Sequence, residues 1–147
     1  MMSSAMKRTK LKKKSKRKIS TIQECIWDYC KIIIRKNYVH DCYTCPAKGL
    51  VGLNLHTGHM IAKASLGAYL KYDLRVLRPQ CFHCNINCGG MGAVFIENMR
   101  RIEGNEYVDQ ILKDRQISVN AYDHYVKIEQ EYKKMTESID VEINYNV

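Results

Sequence analysis

Hydrophobic residues near the start of the chain recur at helical spacing. The stripe contains Ile22, Cys25, Ile26, Tyr29, Cys30 and Ile33. Residues three and four positions apart share one face of a helix, so this pattern predicts a helix over residues 21–38. Cys25 and Cys30 lie on the same stripe, and we expect both to be buried as small hydrophobic side chains.

The middle of the chain has a shorter hydrophobic period and many turn residues. Residues 50–61 predict one hairpin or bent strand. Residues 69–77, with the sequence YLKYDLRVL, alternate with a period of two, which predicts a further strand. The middle segment is therefore expected to form a small β-structure.

Helical patterns return after a cluster of glycines. A helix should begin just after Gly92, with three hydrophobic residues on one face: Phe95, Met99 and Ile102. Gly104 should end that helix, and residues 106–116 begin another. A last stripe alternates steps of four and three and contains Ala121, Tyr125, Ile128, Tyr132, Met135 and Ile139. It predicts an amphipathic helix that either packs on the chain's own core or forms a homodimer interface over residues 118–139.

The positive charge of the chain is concentrated at its start. Residues 1–18 hold nine of the 24 Lys and Arg residues and no acidic residue, whereas the rest of the chain is balanced. Like charges at this density repel one another, so residues 1–20 are predicted to be a disordered basic arm. Binding to nucleic acid is favoured over solubility as its role, because phosphate is the most abundant polyanion that such an arm meets.

Hydropathy and cysteine usage indicate an intracellular protein. No uninterrupted apolar run approaches the roughly 18 residues needed to cross a bilayer, and no apolar segment follows the basic start as it would in a secretory signal. The seven cysteines are an odd number, so they cannot all pair as disulfides. We therefore expect a cytoplasmic protein without a membrane partner.

Two Cys-x-x-Cys turns give the strongest chemical signal in the sequence. One contains Cys42 and Cys45, and the other contains Cys81 and Cys84. Two such turns can complete a tetrahedral shell of four thiolates around Zn²⁺, which leaves no open position for water. The sequence therefore predicts a structural zinc site, with redox or unrelated core cysteines as the less favoured interpretation.

Candidate catalytic residues lie between the two turns and directly after the second. His56 and His59 fall within four residues of each other, and Asn85 follows Cys84. The carbonyl oxygen of an asparagine suits a hard cation such as Mg²⁺. A neutral histidine beside that cation could deprotonate a water molecule for attack on a phosphodiester.

These residues resemble the phage lambda NinG family, also called the Rap recombination proteins. The resemblance covers about residues 22–115. Four segments match. They are Cys42-Tyr-Thr-Cys45, Leu55-His56-Thr-Gly58-His59-Met60-Ile61, the continuous stretch over residues 70–85 (LKYDLRVLRPQCFHCN), and Gly89-Gly90. Membership would imply a phage or prophage origin and a role in recombination. It would also imply that the chain is a zinc-stapled relative of the HNH (ββα-metal) nucleases and acts on branched DNA such as Holliday junctions.

The resemblance also implies roles for individual residues. The four cysteines of the two turns match the zinc ligands. His59 matches the first HNH histidine, which is the general base of that superfamily. Asn85 matches the residue that binds the catalytic metal, Mg²⁺ or Mn²⁺, in the similar endonuclease VII class.

Two positions depart from the HNH pattern. Gly58 stands where an acid or a histidine usually holds the metal. Val76 stands where an asparagine usually orients the histidine. His56 or Asp73 could supply the missing metal ligand, and the sequence does not choose between them.

The expected fold is α+β, with a small zinc-stapled ββα-metal (HNH-like) core flanked by N-terminal and C-terminal helices. The expected units are the arm over residues 1–20, a nuclease domain over 21–115, and a C-terminal helix over 116–147 that could serve in dimerisation. The favoured function is metal-dependent endonucleolytic cleavage of branched DNA. The alternatives are a zinc-stapled DNA-binding module without catalysis and a purely structural zinc protein.

Overall fold

Five α-helices and one two-stranded sheet form the main elements of the part of the chain that the structure describes. A computed structural model describes the backbone of residues 15–145 and the side chains of residues 15–139. The helices are α1 (Ile19–Asn37), α2 (Ala68–Lys71), α3 (Gly92–Glu103), α4 (Asn105–Asp114) and α5 (Ala121–Tyr145), and the strands are β1 (His56–His59) and β2 (Leu77–Gln80). The expected combination of helices with a small sheet is confirmed.

The core forms where α1 packs against α5. The stripe predicted on the first helix is buried at Ile22, Ile26, Cys30 and Ile33, and the helix begins and ends within two residues of its predicted bounds. Burial raises the pKa of Cys30 to about 12, so this thiol remains protonated and inert. The expectation that Cys30 is a small buried hydrophobic residue is confirmed, whereas Cys25 is only partly buried.

The two strands pair antiparallel, with His56 opposite Gln80 and His59 opposite Leu77. The prediction of a strand over residues 69–77 is wrong except for its last residue. Those residues form α2 and a 3₁₀ turn. The Asp73 carboxylate accepts a hydrogen bond of 2.9 Å from the backbone amide of Arg75, and this bond favours a turn over strand pairing.

The segment after the glycine cluster folds largely as its pattern predicts. Helix α3 buries Phe95 and Met99, and Gly104 ends it with a φ of +99° that leads directly into α4. Ile102, the third hydrophobic residue of the predicted face, has an exposed side chain. It lies beside the first cysteine turn instead of facing the core.

The structure changes the division of the chain into units. Helix α1 already begins at Ile19, and the Arg17 guanidinium forms two hydrogen bonds of 2.7 and 2.9 Å with the Glu129 carboxylate on α5. The arm predicted over residues 1–20 therefore overlaps the start of α1, and its residues 1–14 lie outside the described part of the chain. No helix within residues 15–145 is long and apolar enough to cross a membrane.

Helix α5 is part of the central core and not a separate unit. Its stripe buries Tyr125, Ile128 and Tyr132 against the rest of the chain, and the Tyr132 hydroxyl donates to the Tyr72 carbonyl at 2.8 Å. These three side chains therefore pack on the chain's own core, which is one of the two alternatives for this stripe. The homodimer itself stays a prediction.

Replacing Ile128 with Glu should therefore unfold the monomer and not dissociate a dimer. Ile128 is 7% exposed, and burying an unpaired carboxylate in a core costs roughly 3–5 kcal/mol. We expect a large drop in the thermal midpoint measured by circular dichroism. Met135→Glu is the matched control, because Met135 belongs to the same stripe but is 40% exposed. Equal stability of the two variants would contradict this packing.

Candidate functional site

Four cysteine sulfurs come together between the two turns. The Sγ atoms of Cys42, Cys45, Cys81 and Cys84 all lie within 4.8 Å of one another. Cys45 Sγ and Cys81 Sγ are 3.8 Å apart, which matches the edge of about 3.8 Å in a tetrahedron with Zn–S distances of about 2.3 Å. The cluster could therefore hold a metal ion such as zinc.

Hydrogen bonds fix the shape of both cysteine turns. The Cys42 amide donates to the Ala47 carbonyl at 2.9 Å, which closes the first turn. The Cys84 amide donates to Cys81 Sγ at 3.4 Å in the second. The Tyr43 amide donates to the Pro79 carbonyl at 2.9 Å and joins the first turn to β2. These hydrogen bonds hold the four sulfurs close to one another.

The thiols of the cluster differ in acidity. Burial raises the pKa of Cys42, but hydrogen bonds from the backbone amides of Cys81 and Thr44 outweigh burial and lower it to about 6. Burial raises the pKa of Cys84 to about 12, so a cation would have to displace its proton. Metal binding at this cluster should accordingly release protons.

Cys88 lies outside the cluster although it follows Cys84 closely. Its exposed sulfur is 3.3 Å from His83 Nε2. It therefore provides a natural control for experiments on the four clustered cysteines.

His59 is held in a defined orientation at the end of β1. Its ring stacks on Trp27, with the centroids 5.3 Å apart and an angle of 17° between the planes. His59 Nε2 is 2.9 Å from the Lys71 carbonyl oxygen. A carbonyl can only accept, so Nε2 carries the hydrogen and Nδ1 of the neutral ring is left as a proton acceptor.

The surroundings of His59 favour its neutral form. Burial lowers the pKa of His59, and the positive charges of Lys63 and Lys71 lower it further. The hydrogen bond to the Lys71 carbonyl acts in the opposite direction but does not outweigh burial. His59 thus remains a potential base at a lower pH than an ordinary histidine.

His56 fixes the orientation of Asn85. His56 Nε2 is 3.0 Å from the Leu53 carbonyl oxygen, so Nε2 donates and Nδ1 of the neutral ring accepts. Asn85 Nδ2 lies 3.1 Å from His56 Nδ1 and donates to it. The contact with His56 involves the Asn85 side-chain nitrogen, so the side-chain oxygen, Oδ1, takes no part in it.

Asn85 lies where two cavities meet. One cavity, of about 250 Å³, is lined by His59, Lys63 and Asn85 and by the glycine turn after the second cysteine pair. The other, of about 320 Å³, is lined by Asn85 and His56 together with residues of α1 and of the turn before β1. The structure therefore brings together His59, Asn85 and His56, the three residues that the sequence indicated as catalytic.

The glycine at position 58 has a steric explanation. A Cβ atom on Gly58 would overlap Gln80 Oε1, because the Gln80 side chain lies directly over the glycine. Gln80 is fully buried, and its Nε2 donates at 2.9 Å to both Thr44 Oγ1 and the Gly90 carbonyl. Gln80 thus occupies the space that an acid at position 58 would need and connects the first cysteine turn to the glycine turn of the cavity.

Asp73 lies away from these residues. Its carboxylate pairs with the Arg75 guanidinium at 2.8 Å, and Arg75 also pairs with Asp114 at 2.9 Å. Asp73 lines a different cavity, which it shares with His124. The structure therefore offers no support for Asp73 as a ligand at the His59–Asn85 cavity.

Sequence reasoning missed several residues that shape this site. Val76, the position of the expected orienting asparagine, is fully buried, and the group that contacts the His59 ring is the Lys71 carbonyl. No side-chain pattern could have indicated a backbone carbonyl. Gln80 and Trp27 were detectable only as a polar residue beside a cysteine turn and as the single tryptophan.

No protein-family model matches the chain, and no curated protein or solved structure is significantly similar to it.

The four clustered cysteines should hold one zinc ion per chain. Cys81→Ser should lose the metal and the cooperative thermal transition, because apparent zinc-binding free energies of about 10–16 kcal/mol match or exceed typical folding stabilities. Cys88→Ser should keep both. Elemental analysis and circular dichroism measure the two effects. Zinc-free wild type that melts cooperatively would contradict the assignment.

The charge of Lys63 should depress the pKa of His59. Lys63→Met keeps much of the bulk of the side chain and removes its charge, so we expect the pKa of His59 to rise. The neutral fraction of His59 would then fall at any pH near that pKa. Titration of the ring signals by NMR measures the change. An unchanged or lowered pKa would show that the charge of Lys63 does not depress it.

Proposed function

We propose that the chain is a divalent-metal-dependent DNA endonuclease with an HNH-like site that is held together by a structural zinc ion. One observation carries the proposal. His59 and Asn85 line the same cavity, with His59 Nδ1 available to accept a proton and Asn85 Oδ1 unused by the contact with His56. The resemblance to the NinG family supports branched DNA as the substrate.

The residues of the cavity fit the requirements of phosphodiester hydrolysis. His59 Nδ1 would remove a proton from a water molecule, while the Lys71 carbonyl holds the opposite edge of the ring. Asn85 Oδ1 is a hard oxygen ligand that suits Mg²⁺ or Mn²⁺. A bound divalent ion would neutralise the negative charge that develops on the phosphate.

His56 has a positioning role in this proposal and is not a metal ligand. Both of its ring nitrogens are engaged, one with the Leu53 carbonyl and one with the Asn85 amide. A histidine that fixes the Asn85 amide in this way would influence cation binding indirectly, by orienting Asn85. In this proposal neither His56 nor Asp73 supplies the metal ligand that the resemblance leaves missing.

The charges around the two cavities fit a phosphate backbone. Lys63 lines the smaller cavity, and Lys31 and Arg35 line the larger one. The first 18 residues of the chain add nine basic residues in sequence. Such charges position nucleic acid without selecting a sequence.

A second candidate function is a DNA-binding module without catalysis. One observation favours it: within residues 15–139, neither of the two cavities that meet at Asn85 is lined by an acidic side chain. Mg²⁺ sites in nucleases usually include at least one carboxylate. In the endonuclease proposal, the substrate phosphates and water would have to complete the coordination.

His59→Ala should reduce nicking of a synthetic four-way junction in Mg²⁺ or Mn²⁺ by about 10²- to 10⁴-fold, the usual contribution of a positioned base. Junction affinity should persist, since binding rests on phosphate contacts. His124→Ala is the matched control, because His124 lines the separate cavity that contains Asp73. Gel assays with labelled junctions measure rate and affinity separately.

Asn85→Ala supplies an independent test of the cation site. We expect it to raise the Mg²⁺ concentration needed for nicking and to leave the zinc content unchanged, because Asn85 is not part of the cysteine cluster. Nicking by His59→Ala at the wild-type rate would contradict the assignment of the base. A wild type that binds junctions and cuts none of them in any divalent metal would favour the binding module.

A further inference from the structure

Exposed apolar side chains flank the larger of the two cavities at Asn85. Leu53 is 94% exposed and Val51 is 75% exposed, on the turn between the first cysteine pair and β1. Phe82 is also exposed, and its backbone amide donates to Asn54 Oδ1 of the same turn at 3.0 Å. We call Val51, Leu53 and Phe82 the apolar ridge.

The backbone beneath the apolar ridge is held by hydrogen bonds. The Leu53 carbonyl is bound by His56, and the Leu55 carbonyl accepts from Arg35 Nη2 at 3.2 Å. Gly52 adopts a φ of +54°, which a side chain would disfavour, and its carbonyl accepts from the Leu55 amide. Leu53 is therefore held in solvent by a defined turn, and the exposure of apolar groups in a cluster typically marks a contact surface.

The position of the ridge indicates what contacts it. Leu53 lines the same cavity as Asn85, Lys31 and Arg35. No carboxylate lines that cavity within the described side chains. Lys31 pairs with Asp28 at 2.8 Å, whereas Arg35 donates to the Leu55 carbonyl, so Arg35 brings the positive charge that suits a phosphate backbone. The ring of Phe82 lies 5.4 Å from the ring of His56, the residue that orients Asn85. A strand whose phosphates follow Lys31 and Arg35 would therefore bring its bases towards the ridge.

We propose that the apolar ridge packs against unstacked bases at a branch or opening in DNA, directly beside the candidate cation site. This inference rests on the proposed function, in which DNA is the substrate. It adds that the apolar ridge is the feature by which the protein selects branched over linear DNA. Apolar side chains insert between bases only after the bases have unstacked, which costs a few kcal/mol at each step of an intact duplex. At a branch point that stacking is already interrupted, so the ridge would bind there preferentially.

The test compares the affinities of a four-way junction and a linear duplex of the same sequence, without added Mg²⁺ or Mn²⁺. We expect wild type to prefer the junction and Leu53→Ser to lose about tenfold of this preference, the lower end of what burial of one leucine side chain contributes. Affinity for the linear duplex should not change. Val39→Ser is the matched control, because Val39 is 79% exposed but lines the cavity beside the first cysteine turn.

A second readout reports on the bases themselves. A 2-aminopurine placed at the branch should change its fluorescence on binding wild type and Val39→Ser, and much less on binding Leu53→Ser or Phe82→Ser. Retained junction preference in both ridge variants would overturn the inference, and so would a wild type without any preference. A change of oligomeric state in the ridge variants with unchanged junction preference would assign the ridge to a second copy and overturn it as well.

These outcomes are independent of catalysis. A wild type that prefers junctions through Leu53 but nicks none of them would refute the endonuclease and leave the ridge standing. A wild type that nicks junctions while Leu53→Ser keeps full preference would refute the ridge alone.

Discussion

The approach of four cysteine sulfurs is the constraint on which the candidate site depends. The two turns are separated by 35 residues, and closing a loop of that length costs about 3 kcal/mol. Apparent zinc affinities of about 10–16 kcal/mol exceed this cost several-fold. The residues enclosed by the loop include both strands, and Asn85 directly follows the last cysteine. A metal at this cluster would therefore set the position of Asn85 relative to the sheet.

The apolar core positions the other half of the site. Trp27 on α1 supports the ring of His59, and the Lys71 carbonyl at the end of α2 binds its far edge. Helix α1 is itself held by α5, whose Tyr132 hydroxyl reaches the backbone just after α2. Asn85 thus depends on the cysteine cluster, whereas His59 depends on packing between helices. Gln80 links the two through its hydrogen bonds to Thr44 and Gly90.

The sequence was most informative where a local rule acts alone. The helical stripe on α1, the glycine that ends α3 and the spacing of the paired cysteines each depend on neighbours along the chain, and the structure agrees with all three. The prediction for residues 69–77 failed because the Asp73 side chain competes with strand pairing there. The stripe on α5 fits a dimer interface or an intramolecular core equally well, and only the tertiary contacts show that Tyr125, Ile128 and Tyr132 belong to the core. The Lys71 carbonyl that contacts the His59 ring could not be predicted, because the pattern of side chains carries no information about a backbone carbonyl.

The most direct test of the account is a crystal structure of the zinc-loaded chain soaked in Mn²⁺, with anomalous diffraction recorded at the absorption edges of both metals. The account predicts a zinc signal among Cys42, Cys45, Cys81 and Cys84, and a manganese signal in the cavity between His59 and Asn85 Oδ1. A manganese ion bound elsewhere, or an Asn85 amide that turns its nitrogen towards the cavity, would contradict the claim that the cysteine cluster and the helical core together build a cation site.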